Sequence, residues 1–173
     1  MQTLVFLTPH ESASHGFTLV ELLLCLGLMA GIAAFALSNW QRVQERSRVE
    51  AARDQLINDL QSARMRALQH GETLQLVRLR DCTWATSAES DWSCGWELHT
   101  KATQTVLQTS QLSTPLQVTF AKSTPLDINP RGDLGTVGER WVIKSRQTAF
   151  NIASTLCLSS ASRLRWQSGE SCS

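Results

Sequence analysis

The sequence has almost no net charge and few of the residues on which enzymes depend. Its 16 Lys and Arg are balanced by 15 Asp and Glu, so a polyanionic partner has to be met by a local basic patch. Beyond residue 16 the only histidines are His70 and His99, and neither lies in a nucleophile or metal motif. The serine-rich stretch at 159–162 has no neighbouring lysine or histidine. We therefore expect no catalytic residues, no cofactor and no small-molecule substrate.

Cysteine spacing of the kind that binds zinc is also missing. Cys25 lies in an apolar stretch, which leaves Cys82, Cys94, Cys157 and Cys172 as an even set, and no pair has the short separation of zinc ligands. Three connectivities are possible, and local pairing is the economical one. Two such loops would each contribute roughly 3 kcal/mol in the chain-entropy model. We predict no metal site, and disulfides that place this part of the chain in an oxidising compartment such as the periplasm.

One stretch near the N-terminus contains a single charge. About 21 residues run from Phe17 to Leu37 with Glu21 as the only charged one, which meets the roughly 20-residue length of a membrane-spanning helix. A carboxylate in such a helix costs on the order of 2.5–3.5 kcal/mol at mid-bilayer and less near the edge. One interpretation is an ordinary bitopic membrane anchor in which the Glu21 carboxylate has no role. The other is that Glu21 has a function that offsets the cost of its burial.

The junction before this stretch favours the second interpretation. A secretory signal peptide needs a basic leader, a shorter apolar core and a cleavage site after that core, and none of these is in place. Instead, Gly16-Phe17-Thr18-Leu19-Val20-Glu21 resembles a type IV prepilin signal. The resemblance implies a leader at 1–16, cleavage by prepilin peptidase between Gly16 and Phe17, and methylation of the Phe17 amine. It also implies that Glu21 pairs with the N-terminal ammonium of a neighbouring subunit in the fibre core.

The charges flanking the apolar stretch point the other way. Residues 1–16 contain no Lys or Arg, whereas Arg42, Arg46 and Arg48 follow the apolar stretch. The positive-inside rule would then place the C-terminal domain in the cytoplasm. We give more weight to the cysteines and the cleavage motif, and expect either an atypical leader or a misassigned start codon. The expected location is the inner membrane, single-pass with a periplasmic C-terminal domain, and then the extracellular pilus fibre.

Helical periodicity continues past the membrane-length segment. Apolar residues recur at three- and four-residue spacing, and no Gly or Pro interrupts residues 32–70; the stripe consists of Val49, Ala52, Leu56, Leu60, Ala63 and Ala67, and Ile57 and Leu68 widen it. Gly71 is a suitable C-cap. We predict one helix from about Phe17 to about His70, with 17–40 in a membrane or fibre core and the rest in a globular domain of residues 41–173.

The pattern after Gly71 changes to short apolar or β-branched runs separated by turn residues. These predict strands at 73–79, 96–99, 105–112, 116–120, 141–144, 150–158 and 164–166. Strands that follow a single helix indicate an α+β domain, with an antiparallel sheet on the C-terminal half of the helix. This is the lollipop architecture of type IV pilin-like proteins.

Short motifs narrow the resemblance to a subtype. The block around Trp92-Ser93-Cys94-Gly95-Trp96 is similar to the Trp-x-x-Gly-Trp block of the GspH/FimT-type minor pilins and pseudopilins. The turn at Pro130-Arg131-Gly132 and the late strand with a terminal cysteine also resemble FimT and FimU. The resemblance implies a minor pilin whose partners are other major and minor pilins. The tryptophans at 84, 92 and 96 are interpreted as core residues beside a disulfide.

Two arginines near the C-terminus suggest a DNA-binding function. FimT proteins that bind DNA for natural transformation carry Gly-Arg-x-Arg, and Ser162-Arg163-Leu164-Arg165 matches its two arginines with serine in the glycine position. On a strand, Arg163 and Arg165 would lie on one face about 7 Å apart, where each guanidinium could clasp a phosphate. From residue 121 onward, the sequence contains seven Lys or Arg and only four Asp or Glu, a local excess of three positive charges.

Several alternatives stay open for this region. Lys144, Arg146 and Arg140 would extend the patch if their segment folds nearby, and Trp166 could stack on an unpaired base. Alternatively, the arginines are solvated and deter edge pairing, or the serine prevents the turn. For the whole chain, the alternatives are a type II secretion pseudopilin without DNA binding and a membrane-anchored binding module outside any fibre.

Overall fold

A computed structural model describes residues 18–112, 116–122, 125–135, 138–159 and 161–172, without the side chains of residues 35–38. The predicted leader, the Gly16–Phe17 cleavage point and the Phe17 amine lie outside these residues. The chain divides into two compact units, the first ending at Trp40 and the second comprising Gln41–Ser173.

The predicted long helix is confirmed. Helix α1 spans Leu19–His70, and it ends where Gly71 takes a left-handed φ of 64°, the usual conformation of a residue just past a helix end. Its first part exposes large apolar side chains from Leu19 to Ile32, and α1 is long and apolar enough to cross a membrane.

In the part of the chain that the structure describes, eight strands follow α1 and form two antiparallel sheets, so the α+β prediction is also confirmed. The first sheet has the order β3-β2-β1-β5 and consists of β1 Leu74–Arg78, β2 Gly95–Thr100, β3 Val106–Gln111 and β5 Leu126–Ile128. The second has the order β4-β6-β7-β8 and consists of β4 Leu116–Phe120, β6 Arg140–Ser145, β7 Ala153–Leu158 and β8 Leu164–Ser168.

The structure corrects the sequence prediction at two strands. The strand predicted from residue 150 begins only at Ala153, because Thr148–Phe150 form a short 3-10 helix and Asn151 has a φ of 46°. Strand β5 was missed because its three residues are too few for a periodic signal. Its pairing with β1, through Leu74 opposite Ile128, is a long-range contact.

The apolar stripe of α1 forms one wall of the core. Its six central residues are buried and Ile57 is partly buried against the core, but Leu68 is exposed, so the stripe is narrower than predicted at that position. Across from the helix, the Phe120 and Trp141 rings stack with centroids 4.1 Å apart, and Trp92 meets Phe120 edge-on at 5.4 Å. Trp96 is buried as well, and its indole N–H donates to Asp59 of α1 at 2.8 Å. The tryptophans of the sequence motif therefore have a packing role.

A buried carboxylate organises the loop before β2. Asp91 is only 4% exposed, and it accepts hydrogen bonds from the Thr86 N–H at 2.6 Å, the Thr86 hydroxyl at 2.7 Å and the Ser93 N–H at 2.9 Å. Burial on its own raises the pKa of Asp91, but the hydrogen bonds from Ser93 and Thr86 outweigh it and hold the pKa below its usual range.

We expect Leu56→Ala to lower the free energy of unfolding by about 2–5 kcal/mol, because it opens a cavity under both sheets. Leu56 is fully buried, whereas Leu68 on the same helix is 50% exposed, so Leu68→Ala is the matched control. Urea unfolding of the full chain in mild detergent, followed by tryptophan fluorescence, measures both. Equal losses in the two variants would contradict the assignment of the core.

We expect Asp91→Asn to destabilise the protein by about 1–3 kcal/mol at pH 7, because the amide NH2 that replaces Oδ2 of the buried carboxylate cannot accept the two hydrogen bonds from Thr86. A depressed carboxyl pKa stabilises the fold above the unfolded-state pKa of about 3.9 and ceases to do so as pH falls through the folded-state value. The difference between wild type and variant should therefore shrink in acid.

Urea unfolding at pH 7 and near pH 3 tests this dependence. Exposed Asp81 provides the control Asp81→Asn, which should change neither value. A destabilisation by Asp91→Asn that stays constant with pH would show that ionisation of Asp91 does not matter.

Candidate nucleic-acid interface

The arginine pair lies on the outer strand of the second sheet. Among the described strands, β8 pairs only with β7, and strand alternation places Arg165 on the face opposite Leu164 and Trp166. The Arg163 carbonyl accepts the Ser159 N–H at 3.0 Å, so the pairing continues one residue before β8. Arg163 thus falls on the same face as Arg165, and both are exposed.

Ser162 adopts a left-handed backbone conformation, which glycine adopts without a steric cost. Its φ is 55°, and its N–H donates to the Ser159 carbonyl at 2.9 Å, which closes the turn before the arginines. A left-handed residue with a side chain costs about 1–2 kcal/mol. Polar contacts offset this cost, because the Ser162 hydroxyl accepts the Leu134 N–H at 3.0 Å and its carbonyl accepts a hydrogen bond from Arg64. The serine therefore does not prevent the turn.

One of the three additional cations joins the pair. Arg140 lies opposite Cys157 on β7, and Cys157 lies opposite Arg165 on β8. The three residues form one row across the sheet, so the α-carbons of Arg140 and Arg165 are two strand spacings, about 10 Å, apart. Arg140 is exposed. Arg140, Arg163 and Arg165 thus share one end of the face, and Cys157 with its disulfide to Cys172 lies between Arg140 and Arg165.

The other two predicted cations lie at the opposite end. Lys144 is opposite Ala153, four residues along β6 from Arg140, and its ammonium is 3.5 Å from a Glu170 carboxylate oxygen. Arg146 follows β6 and donates to the Trp84 carbonyl. Neither side chain is placed beside Arg163 and Arg165.

The C-terminal segment lies along the outer face of β7, between the cations of β6 and the arginines of β8. Its Gly169 carbonyl accepts a hydrogen bond from the Thr155 hydroxyl at 2.6 Å, and a disulfide joins Cys172 to Cys157 with α-carbons 5.9 Å apart. The segment is thereby tied to the outer face of β7 and carries Glu170 toward Lys144. The second disulfide joins Cys82 to Cys94. Both pairs agree with the local pairing favoured by the sequence.

The turn at Pro130-Arg131-Gly132 lies beside the Ser162 turn, and the Leu134–Ser162 hydrogen bond joins the two. The sequence predicted this turn but not the contact. The turn also packs on α1, because a Cβ added at Gly132 would lie 3.4 Å from the Leu68 side chain. Arg131 is 85% exposed and lies 3.5 Å from Asp133. Arg64 of α1 lies beneath these turns, and its burial lowers the pKa of its guanidinium. The negative charge of Asp133 acts in the opposite direction and raises this pKa. The only feature of the sequence that could have linked the two turns is that each of them carries an arginine.

Trp166 does not belong to the arginine face. It lies on the face toward α1, where the Arg53 guanidinium sits 4.4 Å from the ring centroid. Its ring is 53% exposed, but a base stacked on it would approach from the side away from Arg165. The predicted stacking residue and the predicted phosphate-binding pair thus belong to different surfaces.

Glu21 lies in the first turn of α1 and is exposed. Its N–H donates to the Thr18 hydroxyl at 3.3 Å, so Thr18 caps the helix. A carboxylate in the first turn is also favoured by the helix dipole. The predicted partner, the Phe17 amine of a neighbouring subunit, falls outside the described residues.

Comparison with known proteins agrees with this architecture. The sequence matches the GspH family, described as type II transport protein GspH, over residues 52–167. Among curated proteins, no sequence matches. The type IV minor pilin FimU of Pseudomonas aeruginosa strain PAO1 is similar in two crystal forms. One has a TM-score of 0.59 and 19% identity, and the match covers 75% of this chain and 98% of FimU. The other has a TM-score of 0.56 and 19% identity, and the match covers 72% of this chain and 99% of FimU.

The minor pseudopilin EpsH of the Vibrio cholerae type 2 secretion system is also similar, with a TM-score of 0.49, 12% identity and coverage of 68% of this chain and 94% of EpsH. The likeness to FimU shows the fold, and the family match covers most of the chain. The chain therefore belongs to the GspH family of minor pilins and pseudopilins.

Proposed function

We propose that this chain is a minor pilin of a type IV pilus that supports pilus assembly and binds extracellular DNA for uptake in natural transformation. The observation that carries the DNA-binding part is the left-handed turn at Ser162, which presents exposed Arg163 and Arg165 on one face of an outer strand. Arg140 extends this surface. Lys144 and Arg146 would take part only if the DNA reached the far end of the sheet.

The chemistry of the surface suits double-stranded DNA read by its backbone. Arginine side chains bind phosphate in a bidentate geometry and stay charged at all physiological pH values. A surface of this kind contacts phosphates without reading bases, so its affinity depends on salt and little on sequence. The aromatic ring nearest to it, Trp166, lies on the other face, which argues against single-stranded DNA bound by stacking.

The N-terminal half of α1 supports a membrane-stored precursor. In this proposal, residues 1–16 are a leader, prepilin peptidase cuts between Gly16 and Phe17, and the Phe17 amine is methylated. Residues 17–40 hold the subunit in the inner membrane and later in the fibre core, and residues 41–173 form the periplasmic domain. Glu21 pairs with the Phe17 ammonium of a neighbouring subunit on assembly, while its place in the first helical turn stabilises it beforehand. The protein is a structural subunit and not an enzyme.

A minor pseudopilin of a type II secretion system is the second candidate, because the matching family is described as a type II transport protein. It would share the processing site, the helix and the fold. It would have no use for an arginine pair on the outer strand, so DNA binding separates the two candidates.

The DNA hypothesis predicts a change in both affinity and salt dependence. Arg163→Ala with Arg165→Ala should weaken binding of a short duplex at low salt, and should lower the slope of log affinity against log salt by about 2, since each lost phosphate contact removes about 0.9. Fluorescence anisotropy with the domain lacking residues 1–44 measures both quantities.

The matched control is Arg66→Ala with Arg80→Ala, two exposed arginines elsewhere whose removal changes the net charge by the same amount. Binding that is undetectable in the wild type, or equally weakened by both double variants, would rule out the proposed site.

Processing predicts a defined N-terminus. Mass spectrometry of protein extracted from membranes should show N-methyl-Phe17, and the same chain from a strain without prepilin peptidase should retain its leader. An intact Met1 terminus in a strain with active peptidase would contradict assembly into a fibre.

A further inference from the structure

A groove with an excess of positive charge lies between α1 and the second sheet, on the side away from the arginine pair. Its volume is about 330 Å³, and all of its residues belong to the unit that begins at Gln41. Arg42, Arg46 and Arg53 of α1 form one wall, because residues four and seven apart fall on one side of a helix. Glu50 is the only acidic residue among the described lining residues, so the lining keeps two net positive charges.

The three arginines differ in how far they are engaged within the protein. Arg53 pairs with Asp54 at 2.7 Å, and only 12% of its side chain is exposed, so it is a fixed part of the wall. Arg46 pairs with Glu50 at 2.8 Å, but 71% of its side chain is exposed. Arg42 is exposed as well. The helical wall thus offers two accessible guanidinium groups to a ligand.

The opposite wall contains a buried hydroxyl without a partner. Ser154, the second residue of β7, is 5% exposed, and its hydroxyl has no hydrogen-bond partner among the described residues. It lines the groove together with Ser168, which lies directly opposite it on β8, so the two side chains share one face of the sheet. A buried hydroxyl without a partner costs free energy, and an oxygen of a ligand in the groove would accept its hydrogen bond.

The two walls together suit a tetrahedral dianion. Guanidinium groups reach the groove from the helix and hydroxyl groups reach it from the sheet, and a phosphate can accept hydrogen bonds from both sides with different oxygens. A terminal phosphate group carries a charge of about −1.5 to −2 at pH 7, which balances the two net positive charges of the lining. A carboxylate, or a phosphodiester within a nucleic-acid chain, carries only one negative charge.

The groove also has room for more than a phosphate. Pockets of about 300–1,000 Å³ hold small organic molecules, and part of this lining is apolar, including Val49, Ile152 and Trp166. The Arg53 guanidinium lies 4.4 Å from the centroid of the Trp166 ring, and 53% of this residue stays exposed. A planar organic group attached to the phosphate would cover the exposed part of the ring.

We propose that this groove binds a phosphate dianion, the chemistry shared by inorganic phosphate and by the end group of a small phosphate monoester. Arg42 and Arg46 hold the phosphate oxygens, and the Ser154 hydroxyl donates to one of them. The organic part of a monoester lies against Trp166. This site is separate from the arginine pair, and the inference depends on neither pilus assembly nor DNA binding.

Thermal unfolding of the full chain in non-ionic detergent, followed by tryptophan fluorescence, tests this proposal, because a ligand of the folded state raises the midpoint temperature as its concentration rises. The probes are inorganic phosphate, deoxyadenosine 5′-monophosphate and deoxyadenosine, with sodium chloride holding the ionic strength constant. Both phosphates should raise the midpoint, and deoxyadenosine should bind at least about tenfold more weakly than its monophosphate. Tighter binding of the nucleotide than of inorganic phosphate would make a monoester the ligand, and equal affinities would make it free phosphate.

Variants of the two walls test the site itself. Arg42→Gln with Arg46→Gln should raise the dissociation constant for phosphate at least about tenfold, because two charge-assisted contacts are lost. Ser154→Ala should raise it by a smaller factor and should not lower the midpoint of the ligand-free protein, because it removes a buried hydroxyl that has no partner. The control is Arg66→Gln with Arg80→Gln, two exposed arginines elsewhere, which should bind phosphate as the wild type does.

Four results would each overturn the proposal. The first three are a midpoint that phosphate raises no more than chloride does, equal binding of deoxyadenosine and its monophosphate, and undiminished phosphate binding in the Arg42/Arg46 variant. The fourth is an equal loss of phosphate binding in Arg163→Ala with Arg165→Ala, because the anion would then lie on the other face of the sheet. A chain that binds phosphate in the groove but does not bind duplex DNA would refute the proposed DNA function and leave this site intact.

Discussion

The buried stripe of α1 is the contact on which the rest of the domain depends. The two sheets have no strand in common, and Leu56 and Leu60 are fully buried between the helix and the sheets. A four-stranded sheet with one apolar face needs a partner to cover that face, and α1 supplies it. The positions of both sheets therefore depend on how each packs on this helix.

Polar contacts along the same helix fix the position of each sheet. Asp59 accepts the Trp96 indole N–H and a hydrogen bond from the Gln108 amide at 2.7 Å, which attaches the first sheet. Glu45 is 6% exposed and accepts the Ser145 hydroxyl at 2.6 Å, which attaches the second. Glu45 is buried and Asp59 is half-buried, and a carboxylate that is withdrawn from water has to meet its donors. These two residues therefore help to fix where each sheet lies along the helix.

Periodicity and turn chemistry predicted much of this from the sequence. The helix was predictable because its stripe runs without Gly or Pro to Gly71, and most strands because buried residues alternate along them. What could not be predicted depends on contacts distant in sequence. Strand β5 exists through its pairing with Leu74 and Leu76. The positions of Lys144 and Arg146 depend on strand register and on their contacts with Glu170 and Trp84, which no local pattern encodes.

The left-handed serine at position 162 changes how the arginine motif should be defined. The feature that directs the two guanidinium groups outward is a backbone angle, and the residue that adopts it needs only hydrogen bonds sufficient to offset its strain. Here those bonds come from Leu134 and Arg64, on two segments remote from the motif. Searching related sequences for glycine before the first arginine would pass over chains of this kind, whereas asking what supports the turn would find them.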